Sequence, residues 1–353
     1  MLESQLSLLR CPVTRSTLRL QVIKKSVRSF RGEELPFIEE GILFAAGDWF
    51  YPIIGGIPRL LVEAFIDYAD FCKKHLPDYD KRSAQLHQQY NRLIRYATRK
   101  NRRTKQSFSL EWSFFDYEHT KTWDAPKDAM LARFLEETAE TAESLRGKWI
   151  FDAGCGNGLL NQLMAESGAQ VVAMDLSNGV ERAYAQNQYP SVLYIQGDLQ
   201  FPPVAFAQFD IVQCSGVLIC TNNTELSFSC LEPCVKPGGK YSVWLYHPRK
   251  DAIHNLFNFI RRYTSRLPLR LQYYLLLVTI FPLSYIIKRI KGNKQTVREM
   301  IIYILDWFTP EFRWEHEPTE ASAWFNKRRY TSVQVTTVEL FGFNITGVKD
   351  HAS

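Results

Sequence analysis

Seven cysteines scattered along the chain make no disulfide framework. Cys11, Cys72, Cys155, Cys214, Cys220, Cys230 and Cys234 have no regular spacing, and several fall inside expected strands or helices. That excludes a stapled secreted scaffold and suits reduced thiols. Strong charge of one sign is also missing. A net charge of +6 over 353 residues is too mild for a dedicated nucleic-acid binder. The opening residues, Met1-Leu-Glu-Ser-Gln5, carry no basic-plus-apolar leader, so a cytoplasmic location is expected. The very apolar run from Leu271 to Ile287 falls short of the about twenty residues that a membrane span needs, and Pro282 interrupts it. What remains is the composition of a soluble globular protein, long enough for two domains or one with additions.

The stretch that carries most information is Ile150-Phe-Asp-Ala-Gly-Cys-Gly-Asn-Gly-Leu159. A buried strand over Lys148 to Asp152 runs into a glycine loop, Gly154-Cys155-Gly156-Asn157-Gly158. A helix follows over Leu159 to Ser167, with Leu159, Leu160, Leu163 and Met164 on one face. Glycines let a ligand approach the backbone, and free N–H groups at the helix start are expected to face it. A dinucleotide fingerprint needs G-x-G-x-x-G, but Leu159 stands at its third glycine. Alternating strands and helices over 126–250 point to a doubly wound α/β sheet. A second strand over Ala169 to Met174 ends in Asp175. An acid there, about twenty residues past the loop, is placed to accept both hydroxyls of a ribose. A third strand over Val192 to Gln196 leads to Asp198 and Leu199, a fourth covers Phe209 to Cys214, and Lys236-Pro-Gly-Gly-Lys240 is the turn before a fifth, Tyr241 to Tyr246.

With Asp152 before the loop, these motifs resemble class I S-adenosylmethionine-dependent methyltransferases, whose first motif reads D/E-x-G-x-G-x-G. The resemblance implies a Rossmann-like seven-stranded sheet whose last strand is antiparallel. It also implies a cofactor site made of Asp152, Gly154, Cys155, Gly156, Asn157, Gly158, Asp175, Leu176, Asp198, Leu199 and Ser215, in which Asp198 takes the adenine amine. Ser215-Gly-Val-Leu-Ile-Cys-Thr-Asn-Asn is similar to the family segment S-G-V-L-H-H-T-x-N, with Ile219 and Cys220 in place of both histidines.

The rest of the chain divides into four further parts. Residues 1–62 read as a small sheet, with alternating runs over Leu18 to Ile23 and Phe37 to Phe44. Their ends, Leu9-Arg-Cys-Pro-Val-Thr and Tyr51-Pro-Ile-Ile-Gly-Gly-Ile-Pro-Arg-Leu60, resemble the zinc-ribbon activators of tRNA and protein methyltransferases. Thr14 replaces the second cysteine and no C-x-x-C follows, so a ribbon-like module without metal is expected, with Cys11 a small buried residue. Residues 63–125 read as helical. They hold an acid-free basic run from Lys81 to Lys105, either a solvated helix face or a footprint for RNA or anionic lipid. The aromatic stretch Phe108 to Tyr117 is either a cap over the cofactor or a core patch. Residues 251–305 are an apolar helical insertion. They either cap the substrate or meet an anionic membrane surface through 262–291, at the inner face of the membrane. Residues 306–353 return to the sheet, with a helix capped by Thr319 and strands over Val333 to Val338 and Phe343 to Val348.

The resemblance implies direct displacement of a methyl group onto a small-molecule, lipid or glycan acceptor. An RNA methyltransferase and a non-catalytic partner protein are the alternatives. A base is needed where the acceptor is a hydroxyl or a protonated amine. His247, just past the fifth strand, is the first candidate; His316, His119 and Tyr117 follow. No metal is expected.

Overall fold

The computed structural model describes residues 1–115, 117 and 126–351. The first four strands are β1 (Arg19–Phe30), β2 (Glu33–Phe44), β3 (Phe50–Ile54) and β4 (Ile57–Leu60), an antiparallel meander. Helices α1 (Ala64–Asp67), α2 (Ala69–His75), the 35-residue α3 (Tyr79–Ser113) and α4 (Lys127–Thr138) follow. The central αβ part is β5 (Trp149–Ala153), α5 (Leu159–Glu166), β6 (Gln170–Asp175), α6 (Gly179–Ala185), β7 (Val192–Gly197), β8 (Phe209–Ser215), α7 (Thr224–Leu231) and β9 (Val235–Tyr246). The chain ends with α8 (Ala252–Thr264), α9 (Leu269–Ile290), α10 (Val297–Phe308), α11 (Pro318–Lys327), β10 (Tyr330–Val338) and β11 (Gly342–Lys349).

All eleven strands join one sheet, in the order β1-β2-β3-β4-β7-β6-β5-β8-β9-β11-β10. From β7 onward this is the expected seven-stranded arrangement. Strands β5 to β9 are parallel, and β11 runs antiparallel between β9 and β10. The N-terminal meander is not a separate small sheet. β4 pairs parallel with β7, placing Arg59 opposite Gln196 and Leu60 opposite Gly197.

Alternation in the central strands explains why they read as continuous apolar runs. Phe151, Val172, Met174, Leu193 and Ile195 pack in one core; Ile150, Val171, Ala173, Val192 and Tyr194 pack in another. Successive side chains leave opposite faces of a strand, so both faces of this sheet are covered. Cys11 is fully buried, as a small core residue would be, with its Sγ 3.2 Å from the Tyr51 hydroxyl.

Three local expectations change. Lys236-Pro-Gly-Gly-Lys240 lies within β9, where a register break against β8 absorbs it as a bulge. Helix α9 runs through Pro282 without ending. Helix α11 begins at Pro318 with Glu317 at its cap, so Thr319 is inside the first turn. Proline at the first helical position needs no N–H partner and has its φ already set.

Candidate active site

Chain order reverses at β5, whose neighbours in the sheet are β6 and β8. Open parallel sheets form a crevice at such a point, beyond the carboxyl ends of the strands. Here it is a cavity of about 540 Å³, lined at the strand ends by Asp152, Asp175, Gly197, Gln213 and Trp244, among others. Helices close it with residues at helical spacing. Asn101, Thr104, Phe108 and Glu111 come from α3; Met130, Arg133 and Glu137 from α4; Tyr303, Asp306 and Trp307 from α10. Every residue expected to bind cofactor lines this cavity except Gly158, whose carbonyl accepts the buried Tyr194 hydroxyl at 3.2 Å.

The glycine loop is held by its neighbour strand. The Gly154 and Cys155 N–H groups both donate to the Met174 carbonyl, at 2.7 and 2.9 Å. The Gly156 N–H donates to Asp175 Oδ2 at 3.0 Å, and Leu159 N–H to Asn157 Oδ1 at 3.0 Å. These groups therefore do not stand free for a ligand, as the helix start alone suggested; they fix the loop. Gly154 has φ +110°, and a Cβ there would lie 2.3 Å from Val217. At Gly156, with φ +53°, a Cβ would meet the Trp112 ring at 2.7 Å. Side chains at either position would strain the backbone and fill the cradle.

Asp175 is buried at the end of β6. Its Oδ1 accepts the Ser177 N–H and hydroxyl, both at 2.7 Å, and burial raises its carboxyl above the ordinary value against those bonds. Asp152 accepts Asn161 Nδ2 at 2.6 Å, and burial pushes it up to about 7. Asp198 is already engaged. Oδ1 accepts the Gln200 N–H, while Oδ2 accepts Asn101 Nδ2 at 3.0 Å and pairs with Lys100. An adenine amine expected at this carboxylate would share it with a lysine of the basic run. That run is thus not only a solvated face: Lys105 pairs with Glu63 and Asp67, and Arg103 donates to the Leu267 carbonyl.

The far wall holds groups that the sequence did not single out. Glu111 is fully buried, and neither of its carboxyl oxygens has a partner among the described residues. Burial, then the negative Asp306 and Asp175, holds its proton well above the ordinary carboxylate range. Asp306 accepts the Tyr246 hydroxyl at 3.3 Å. Burial pushes Asp306 up to about 6, against the pull of the Arg313 guanidinium, which lies 3.8 Å over the Tyr246 ring. The indole nitrogens of Trp244 and Trp307 and Gln213 Oε1 are buried without partners among the described residues. Unpaired buried polar atoms are costly, and a cluster of them at one cavity marks a place for a ligand.

His247 does not reach the cavity lining. Its ring nitrogens lie 3.1 and 3.2 Å from the carbonyls of Pro248 and Glu339. His316 is likewise outside, between Thr224 and Glu320. Tyr117 donates to the Asn157 carbonyl at 2.9 Å and so braces the loop; His119 lies outside the described residues. Burial pushes the Cys220 thiol far up, which makes it a poor nucleophile. Among the described residues no cluster of three His, Cys, Asp or Glu could hold a metal ion. A signal for Asp306 was present in sequence. Thr296-Val-Arg-Glu299 is a capping box that starts α10, and an acid in its apolar run Ile301-Ile-Tyr-Ile-Leu-Asp-Trp-Phe308 needs a reason.

Residues 151–243 match the family model described as Methyltransferase domain. A ubiquinone biosynthesis O-methyltransferase of Coxiella burnetii is 31% identical over 100 residues, which are 28% of this chain and 43% of that protein. A malonyl-[acyl-carrier protein] O-methyltransferase of Pseudescherichia vulneris is 33% identical over 90 residues, 26% of this chain and 36% of that one. The chain thus spans less than half the length of these curated relatives. The magnesium protoporphyrin IX methyltransferase of Synechocystis PCC 6803, solved with S-adenosylhomocysteine, aligns at 15% identity and a TM-score of 0.42, over 70% of this chain and 98% of that one.

The cavity suits a cationic cofactor. Seven carboxyl residues line it (Glu111, Glu137, Asp152, Asp175, Asp198, Asp306 and Glu339) against two cations, Lys100 and Arg133, so that even with Glu111 protonated and Asp152 partly so, carboxylates outnumber cations. A sulfonium and an ammonium are complementary to that surplus. The glycine cradle and the Asp175 carboxylate fit the backbone approach and ribose that such a cofactor needs. The segment from β5 into β9 is therefore a methyltransferase domain of the class I, S-adenosylmethionine-dependent kind.

Proposed function

We propose that this protein transfers a methyl group from S-adenosylmethionine to a hydroxyl of a neutral, apolar small molecule or lipid. The observation that carries the reading is the pair Asp306–Tyr246 on the wall built by α10 and β9, in the same cavity as the glycine loop and Asp175. The names of the two curated relatives, both O-methyltransferases, support an oxygen acceptor. Bound S-adenosylmethionine would supply a methyl group already activated by its positive sulfur, held by the glycine loop, Asp175 and Asp198.

The protein then has three tasks. Asp175, kept in place by Ser177 and Gly156, orients the bound adenosine. Phe108, Trp112 and Trp307 line the cavity and exclude water, which keeps the nucleophile unsolvated. Asp306 takes the proton of the acceptor hydroxyl, and Tyr246 steadies the carboxylate by donating to it. Glu111 stays protonated and offers an O–H donor to the acceptor. The surplus of carboxyl groups disfavours an anionic acceptor, which weighs against RNA.

The test is methyl transfer by the purified chain from labelled cofactor into an extract, with Asp306→Asn alongside. The wild type should label a neutral, organic-soluble product, with a rate that climbs through about pH 6 as Asp306 loses its proton. Asp306→Asn should be about 10²- to 10⁴-fold slower, with unchanged cofactor affinity and no such climb. A variant with full rate removes Asp306 as the base. A chain that binds cofactor but labels nothing is a non-catalytic partner.

A further inference from the structure

Helices α8 and α9, joined by a short turn, both pack against α10 and each has two unlike faces. The inner face is tied down: Gln272 Nε2 donates to the Phe308 carbonyl at 2.7 Å, and Leu276 packs with Ile304 and Phe308 of α10. Among the described residues nothing covers the outer face. Leu271, Tyr274, Val278, Leu283, Ile286 and Ile290 are 56 to 81% exposed, and on α8 Leu256, Phe259 and Tyr263 are 54 to 61% exposed. On α8 the spacing of three and four residues gathers the set on one side; on α9 Leu271, Tyr274 and Val278 share one side, and beyond Pro282 the exposed set Leu283, Ile286 and Ile290 lies about a third of a turn further round. Soluble monomers rarely expose so long an apolar strip.

Charge says what belongs on it. From Ala252 to Arg298 there is no acidic residue, and eight cations lie between Arg261 and Lys294. They are placed at the two ends of α9. Arg262, Arg266 and Arg270 are exposed around the turn before it, Lys291 and Lys294 just after it, with the apolar residues between. A second copy of the chain on this strip would bring like charges together. A protein partner would need carboxylates at both ends of an apolar groove. A bilayer presents headgroup phosphates around an acyl interior along its whole surface, and Phe259, Tyr263 and Tyr274 are the ring types that settle at that boundary.

We propose that the α8–α9 segment docks in the plane of an anionic bilayer, exposed apolar residues inward and cations on the headgroups. It lies along the surface and does not cross it, because Gln272 and Leu276 hold it sideways against α10. Helix α10 lies between α9 and the cavity: Ile304 and Phe308 face α9, while Tyr303, Asp306 and Trp307 line the site. On the methyltransferase reading above, on which this second half rests, docking places the cavity where an apolar acceptor dissolved in the bilayer can enter.

The test is co-sedimentation of the full chain with phosphatidylglycerol–phosphatidylcholine vesicles and with phosphatidylcholine vesicles. Binding should be at least about tenfold stronger to the anionic vesicles and should weaken with salt. Val278→Asp/Leu283→Asp/Ile286→Asp should lose it by about tenfold or more, while calorimetric binding of S-adenosylmethionine is unchanged, which shows that the variant is folded. Arg262→Gln/Arg266→Gln/Arg270→Gln should lose the preference for anionic lipid. Wild-type protein left in the supernatant with both vesicles overturns the proposal. So does an Asp variant that sediments like wild type, or a wild-type dimer that the Asp variant dissolves without any vesicle binding. With labelled cofactor, vesicle binding without label in the lipid fraction overturns the acceptor half only. Failure to bind cofactor at all overturns the methyltransferase reading and leaves docking standing.

Discussion

The two ends of the cavity are built on different plans. At the glycine loop polar groups mostly satisfy one another: Asp152 with Asn161 Nδ2, Asp175 with Ser177 and Gly156, and the loop amides with Met174, while Asn161 Oδ1 keeps no partner among the described residues. At the wall of α3, β9 and α10, Glu111, Trp244 and Trp307 keep buried polar atoms without partners among the described residues. A site for an invariant ligand can be made rigid in advance, because its hydrogen bonds never change. A site whose polar atoms wait for a partner is less stable alone and draws specificity from that need. The first end therefore reads as the cofactor's and the second as the acceptor's.

Substitutions at the two ends should separate. Asp175→Ala should have the largest effect, weakening S-adenosylmethionine by about 100-fold in calorimetry, since it removes a charged acceptor and frees the Gly156 amide. An unchanged affinity would break the division. Gly154→Ala should come next. Its positive φ and the Val217 contact should cost about 2 kcal/mol of stability in urea unfolding, with weaker cofactor binding. Glu111→Met should act in the opposite sense. It should stabilise the free protein by about 1–2 kcal/mol in the same assay while slowing turnover, because the lost group has no partner to leave behind.

The pH dependence of stability sharpens the picture further. Asp152 rises from 3.8 to about 7 on folding. Between those values the folded state binds more protons than the unfolded one, so stability falls as pH rises through this window. Its share has an upper limit of about 4 kcal/mol. Asp152→Asn should flatten the decline in melting temperature from pH 5 to pH 8. An equally steep decline would place the titration elsewhere, in the Glu111–Asp306 pair, which acts with the same sign.

Residues close in sequence were the legible ones. The turn from Asp152 to Leu159 and the acid at Asp175 carry their chemistry in local spacing, so strand, loop and helix follow from the residues themselves. The proposed base did not follow. His247 has the right position along the chain, one residue beyond β9, yet its ring ends against two carbonyls while Tyr246 beside it lines the cavity. Adjacent strand residues point to opposite faces, so one residue of register decides which side chain reaches the site. The basic run was legible as charge but not as structure, since only packing shows that Lys100 turns inward to Asp198.

By itself the sequence determined the central sheet, the glycine turn and the acids at the ends of β5 and β6, because period-two burial and glycine conformation are local properties of a chain. Tertiary structure alone decided that β4 joins β7, that α3 and α10 bring Glu111 and Asp306 to one cavity, and that α9 shows its apolar side to the outside. Those are contacts between segments up to about two hundred residues apart. Helical spacing says that a face exists, and only packing says what it meets.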